Sequence, residues 1–213
     1  MSMQRPLQIV LVLVGLGVFF WLMPPVRVVR MHNVKGLTPT GSFDAARFVE
    51  QFWTNQLLPA VSRATPADEL IALLRTNAAA ARQKFGRSIG LSQTCNFFMA
   101  GTGTVVGVSD TEVLVAVTPD ATAPDIALQT GLIFGNAVRD GTGLIDVNDY
   151  PNSQDFNAIS AELNRLIEQH VVPRLRQIAK PGARIRFAGC AELSGETTAP
   201  LPVRVVPMFA EVE

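Results

Sequence analysis

The chain has few of the residues on which catalytic and metal sites depend. Its 213 residues include two cysteines and two histidines. His32 and His170 lie far apart in the sequence. Neither has a cysteine or carboxylate partner at the spacing of a zinc site, so we expect no metal. There is no Gly-x-Ser-x-Gly segment and Cys95 has no identifiable histidine partner, so nucleophilic catalysis has no support.

An excess of one charge sign is also missing. Lysine plus arginine and aspartate plus glutamate both number 18, which gives a net charge of zero. No block of like charge interrupts the chain, so nucleic acid is not an expected partner. Gly101, Gly103 and Gly107 precede no helix, unlike the glycines of a phosphate loop, and we expect no cofactor.

The N-terminus, in contrast, carries a long apolar run from Ile9 to Met23. Arg5-Pro6 precedes it and Pro24-Pro25 ends it, and a helix from Leu7 to Met23 spans roughly 26 Å. We predict a membrane anchor over residues 1–25 and a linker over residues 26–41. A cleaved signal peptide is the alternative, although the residues before Pro24 suit cleavage poorly. No cysteine follows the run directly, which excludes lipidation by that route.

The orientation of this anchor is left open by the residues alone. Arg27, Arg30 and Lys35 follow the apolar run and would place the downstream domain in the cytoplasm. Long domains can cross the membrane despite such charges. The two cysteines fit either one disulfide in an oxidising compartment or two buried thiols in a reducing one.

Residues 42–90 predict a preface of two helices. Ser42 can cap the first, in which Phe48, Phe52 and Leu57 share one apolar face, with Pro59 near its end. Thr65-Pro66 supplies a cap and a first-turn proline for the second helix. Gly86 is its predicted stop.

Residues 91–213 predict strands and one long helix. The helix begins at Ser153 or Asp155 and ends at Pro181-Gly182, and Pro173 should kink it. Pro207 indicates an edge or a bulge in the last strand. Asp140-Gly141-Thr142-Gly143 is typical of a hairpin turn. The predicted strands are Thr94–Val108, Glu112–Val117, the hairpin pair Gly131–Arg139 and Leu144–Asp149, Ala183–Leu193, and Pro202–Val212.

This order predicts an α+β protein with a five-stranded OB-like barrel. Three glycines bend the first strand, and the long helix covers one open end between strands three and four. A generic α+β sandwich is the alternative. In the barrel, the first strand lies beside the fourth, which would bring Cys95 and Cys190 close enough to form a disulfide.

Several segments of the chain match the pattern of a known family: Phe43-Asp44, Trp53, Leu57-Leu58-Pro59, Lys84-Phe85-Gly86, Gly101-Thr102-Gly103, Gly135 to Asp140, Asp149-Tyr150, Asn152–Phe156 and Leu163-Asn164. Together they resemble a bacterial family of predicted periplasmic lipoproteins, domain of unknown function 2291. The resemblance implies an envelope protein facing the periplasm, sometimes encoded near sugar-type ABC importers. The family's lipid-bearing cysteine is missing here, and the proline-bounded helix takes its place. With this anchor, we expect a single-pass inner-membrane protein whose main domain lies in the periplasm.

Arg139 and Asp140 form the first candidate site. A guanidinium at a strand end can clamp a carboxylate, a phosphate or a sugar hydroxyl. Asn136, Asp149, Asn152 and Gln154 could complete a polar ligand-binding cluster. The alternative is structural, because all of these are also good turn and cap residues. The loop Ser194–Leu201 is a candidate partner site by analogy with other OB barrels.

The sequence therefore supports three hypotheses of function. The first is a membrane-tethered, non-catalytic extracytoplasmic module that binds an envelope or transporter protein, plausibly as an accessory to an importer. The second is an envelope enzyme that acts on a small polar substrate through Arg139, Asp140 and Asp149. The third is a purely structural envelope protein.

Overall fold

The computed structural model describes residues 43–89, 94–118, 123–195 and 200–213. The predicted anchor and linker lie outside these residues. Within the described part of the chain, no helix is long and apolar enough to cross a membrane. Residues from Phe43 to Glu213 form one unit by their contacts.

The strands that the structure describes are β1 (Thr65–Pro66), β2 (Gly86–Arg87), β3 (Cys95–Val108), β4 (Glu112–Ala116), β5 (Ile126–Gln129), β6 (Arg184–Leu193) and β7 (Val203–Val212). Five of them close into a barrel. Strand β3 pairs with β4, β4 with β5, β5 in parallel with β7, β7 with β6, and β6 with β3. This is the strand order of an OB fold, and the five-stranded barrel is confirmed. The two short strands, β1 and β2, add to the N-terminal half of β3.

The glycines of β3 allow this strand to pair with two neighbouring strands, β6 and β4. Its first part, to Thr104, pairs with β6, and its last part, from Thr104, pairs with β4. A Cβ on Gly103 would lie 2.5 Å from Val115 Cγ1, so the strands approach too closely there for any side chain. The register shifts between Val105 and Gly107. The predicted sharp bend is confirmed, and glycine is its cause.

Seven α-helical segments surround the barrel in the part of the chain that the structure describes. Asp44, not Ser42, caps the first, since its carboxylate accepts the Arg47 N–H at 3.0 Å. The second predicted helix is divided at Asn77, which caps its second half. The segments are α1 (Ala45–Phe52), α2 (Leu58–Ala60), α3 (Ala67–Thr76), α4 (Ala78–Phe85), α5 (Ala137–Thr142), α6 (Ser153–Leu166) and α7 (Val172–Ile178).

Two of these helices widen into a π turn just before a proline. Trp53–Leu57 links α1 to α2, and Ile167–Val171 links α6 to α7. In each case a proline follows as the second residue of the next segment. Proline has no N–H and its ring collides with the carbonyl four residues earlier, so the preceding turn opens. Pro173 thus marks a π turn in the long helix.

The predicted hairpin after Gly131 is wrong. The third barrel strand is the earlier β5, and residues 137–142 form helix α5. Gly143 has φ +63°, which ends α5 with a left-handed residue rather than turning a hairpin. A Cβ on Gly141 would lie 3.0 Å from Cys190 Sγ, so glycine lets α5 pack directly on β6.

The packed side chains form two cores on opposite faces of β6. The inner core fills the barrel and includes Phe97, Phe187 and Leu175. The outer core lies between the barrel wall and helices α1, α5 and α6, and it includes Ile159 and Leu163. The long helix serves both, because α6 packs on the outer core while α7 contributes to the inner one.

The suggested disulfide is contradicted. Cys95 and Cys190 are both buried and both free. Cys95 pairs with Leu193 in the register of β3 and β6, whereas Cys190 pairs with Phe98. An offset of three residues places the two side chains on opposite faces of the sheet. Accordingly, Cys95 belongs to the inner core and Cys190 to the outer core.

Candidate functional site

Arg139 is enclosed by protein. Its side chain is 5% exposed, and its Nε and Nη2 donate to the two carboxylate oxygens of Asp140 at 2.6 and 3.1 Å. Nη1 donates to the Phe156 carbonyl and to Asn157 Oδ1 at 3.2 and 3.1 Å. The guanidinium carbon lies 3.7 Å from the centre of the Phe156 ring. Every nitrogen of the guanidinium therefore has a protein acceptor, and the group ties α5 to α6.

The other predicted site residues do not gather around Arg139. Asn152 caps α6, accepting the Asp155 N–H and donating to its carboxylate at 2.8 Å each. Asp149 and Gln154 are exposed. Among the described residues, no hydrogen bond joins Arg139 to Asp149, Asn152 or Gln154. Asn136 lies at the start of α5 and accepts the Asp140 N–H through its carbonyl. The structure thus joins only Arg139 and Asp140, and their contacts are structural.

A more open site lies where β5 leads into the loop before α5. Here a cavity of about 510 Å³ separates that loop from the long helix. The volume lies in the range of small-ligand pockets. Its lining residues are Thr130, Gly131, Leu132, Glu168, Val172, Pro173 and Arg176.

Glu168 fixes the loop side of this cavity. It belongs to the π turn Ile167–Val171, and its Oε1 accepts the Ile133 N–H at 2.7 Å. Ile133 itself is 4% exposed and belongs to the outer core. Asn164 Nδ2 donates to the Gly135 carbonyl at 3.1 Å. The loop is therefore held to the helix at two points, although its tip projects from the surface.

Polar groups with unused capacity face the cavity. Thr130 is 2% exposed, and its Oγ1 has no hydrogen-bond partner. Arg176 is exposed and uses Nη2 alone, donating to the carbonyls of Asp110 and Thr130 at 2.8 and 2.9 Å. Its Nε and Nη1 have no acceptor among the described residues. Two guanidinium nitrogens are therefore available to an incoming group, whereas the Thr130 hydroxyl is buried beneath the surface.

The rim of the cavity is strongly apolar. Leu132 is 75% exposed and Phe134 is 78% exposed, more than any other large apolar side chain that the structure describes. Neighbouring exposed apolar side chains of this size mark interaction surfaces more often than single ones do. We call Leu132, Phe134 and the cavity beneath them the loop site.

Another concavity, of about 450 Å³, lies on the outer face of β3, β6 and β7. Arg186 stands over the Phe209 ring at 5.4 Å, but it is paired with Glu211 at 2.6 Å. No buried unpartnered polar atom lines it. The loop site is therefore the better candidate.

Sequence reasoning missed the loop site because the segment Gly131 to Gly135 was interpreted as a strand. A three-residue apolar stretch bounded by two glycines is compatible with both a strand and a loop. Gly135, with φ +90°, favours the loop. Half of the other predicted partner loop, Ser194–Leu201, lies outside the described residues.

An ion pair at the opposite end of β5, between buried Asp125 and exposed Arg75, also escaped prediction. Asp125 is fully buried, bonds to Arg75, and accepts the Val117 and Thr118 N–H groups at 2.9 and 3.0 Å. It closes the connection between β4 and β5 and faces neither cavity. Its role is structural.

Comparison with known proteins agrees with this architecture. A crystal structure of an OB-fold protein from Thermotoga maritima is similar, with a TM-score of 0.74 and 26% identity. The similarity covers 81% of this chain and 100% of that one. No curated protein matches the sequence. The barrel, its covering helix and this neighbour define the class as an OB-fold protein.

Residues 16–211 match the family described as predicted periplasmic lipoprotein (DUF2291). The chain belongs to this family. Its function is unknown, and its description supports an extracytoplasmic main domain.

Proposed function

We propose that this chain is a membrane-tethered, non-catalytic module that binds a partner protein of the envelope at the loop site. An importer of the sugar-type ABC class is the partner that the family resemblance suggests. The observation that carries the proposal is the pair Leu132 and Phe134, both more than 70% exposed beside a cavity with unused polar groups.

The energetics favour a docking role for these two side chains. Covering an exposed leucine or phenylalanine contributes about 1.5–3 kcal/mol each. Aromatic anchors beside a pocket are typical of the few residues that dominate interface energies. The hydrogen bonds from Ile133 and Asn164 hold the loop in place, so little ordering of its backbone would oppose binding.

Photo-crosslinking in intact cells tests the proposal. A photoreactive amino acid at position 132 or 134 should give a discrete adduct of higher mass with one envelope protein, identified by mass spectrometry. Position 212 is the matched control, since Val212 is also apolar and 58% exposed. Val212 is six residues further along β7 than Val206, which belongs to the outer core together with Ile133. Val206 and Val212 are therefore roughly 20 Å apart.

Adducts at positions 132 and 134 but not at 212 would support the proposal. Adducts at all three positions, or at none, would contradict it and favour a purely structural envelope protein. With the photoreactive group at exposed Gln169, within the π turn, an adduct should form in the otherwise unchanged chain and disappear when Leu132→Ser and Phe134→Ser are combined.

A further inference from the structure

Exposure alternates along the tip of the loop site, from 75% at Leu132 to 4% at Ile133 and 78% at Phe134. A period of two residues is that of an extended chain, in which alternate side chains point to opposite faces. Ile133 thus inserts into the outer core while its two neighbours face outward.

The backbone of this tip offers a free edge. In an extended chain, the N–H groups of successive residues also point to opposite sides. The Ile133 N–H donates to Glu168. Among the described residues, no group accepts a hydrogen bond from the N–H of Leu132 or Phe134. An edge of this kind can pair with an added strand.

The positive charge of Arg176 beside this edge favours a negatively charged ligand group. Arg176 contacts Thr130, which precedes Leu132 by two residues, and it keeps Nε and Nη1 available. A carboxylate could accept from both of these nitrogens, the geometry in which guanidinium binds most strongly. Glu168 is eight residues earlier on the helix, about 12 Å along its axis, which exceeds the Debye length of about 8 Å. Its carboxylate is also occupied by the Ile133 N–H.

We propose that the loop site binds an extended segment of a partner protein by strand addition along Leu132–Phe134. The segment carries an acidic residue that pairs with Arg176 and, at alternate positions from it, two apolar residues that cover Leu132 and Phe134. This inference rests on the proposed function and names the chemistry of its partner.

Selection from a library of random linear peptides tests the predicted pattern. Peptides about twelve residues long, twice the usual strand length, are displayed on phage and selected on the full chain in detergent. Enriched peptides should carry aspartate or glutamate with apolar residues at alternate positions. Their enrichment should fall about tenfold on Arg176→Gln. It should stay unchanged on Arg174→Gln, a neighbouring exposed arginine outside the cavity.

Hydrogen exchange then tests strand addition itself. With the most enriched peptide bound, exchange of the Leu132 and Phe134 amides in the full chain should slow by about tenfold or more. N-methylation of alternate residues in the peptide should abolish this protection. Basic or neutral enriched sequences, or unchanged exchange at the two amides, would overturn the inference. If crosslinking at position 132 succeeds while the peptides lack the acidic pattern, the proposed function stands and this inference fails.

Discussion

Arg139 ties α5 to the long helix and Arg176 ties two loop carbonyls to it, but the use of their donors differs. Arg139 is buried, and each of its guanidinium nitrogens donates a hydrogen bond to Asp140, Phe156 or Asn157. Arg176 is exposed, and one of its nitrogens donates to two backbone carbonyls. A guanidinium with satisfied donors contributes to folding, whereas one with free donors beside a cavity can bind a ligand. The difference locates the candidate site at Arg176.

The largest expected effect is on stability at Arg139. Arg139→Ala should lower the free energy of unfolding by about 3 kcal/mol, because it leaves the mostly buried Asp140 carboxylate unpaired. Urea unfolding followed by circular dichroism measures this change. Arg165→Ala is the matched control, since its pair with Glu162 is on the surface, and it should cost less than about 1 kcal/mol. Equal losses for the two variants would remove the structural role assigned to Arg139.

The next effect is on partner binding at the rim. Combining Leu132→Ser with Phe134→Ser should weaken capture of the crosslinked partner by about 2 kcal/mol or more, roughly thirtyfold. The free energy of unfolding should change by less than about 0.5 kcal/mol, because both side chains are exposed. Titration of the partner with the full chain measures the affinity. A loss of stability matching the loss of binding would show that these side chains act in folding.

A smaller effect is expected at Arg176 itself. Arg176→Gln should reduce partner affinity by about tenfold, or 1.4 kcal/mol, while Arg176→Lys recovers part of it because a lysine keeps the charge without the planar fork. Stability should change by less than about 1 kcal/mol. If Arg139→Lys reduced affinity more than Arg176→Gln did, in protein that is still folded, the comparison between the two arginines would be reversed.

The smallest effect concerns the two thiols. Reduction should leave the electrophoretic mobility of the denatured chain unchanged, because Cys95 and Cys190 are free. In the native chain both should resist alkylation at neutral pH, since both are buried and burial raises the pKa of the Cys190 thiol. Arg139→Ala should speed alkylation of Cys190, which lies beneath α5. Arg176→Gln should not. Alkylation followed by mass spectrometry identifies each thiol.

Much of the fold was predictable because its signals are local. The glycines of β3 predicted its bend, Pro207 predicted a bulge, and the helical period from Phe156 to Ile178 predicted the long helix. Register shifts beside Gly107 and opposite Pro207 confirm the first two. The segment Gly131 to Asp149 was interpreted as a hairpin, because glycine and aspartate suit a hairpin turn and a helix end alike. Only packing against β6 decides between them.

The sequence by itself determined four of the five barrel strands, the long helix and the family, since periodicity, turn residues and family motifs are local properties of the chain. Tertiary structure decided which arginine is satisfied. It also decided that Cys95 and Cys190 lie on opposite faces, and that Leu132 and Phe134 remain uncovered. These properties depend on register and on the side chains that surround a residue in space, which spacing along the chain does not encode.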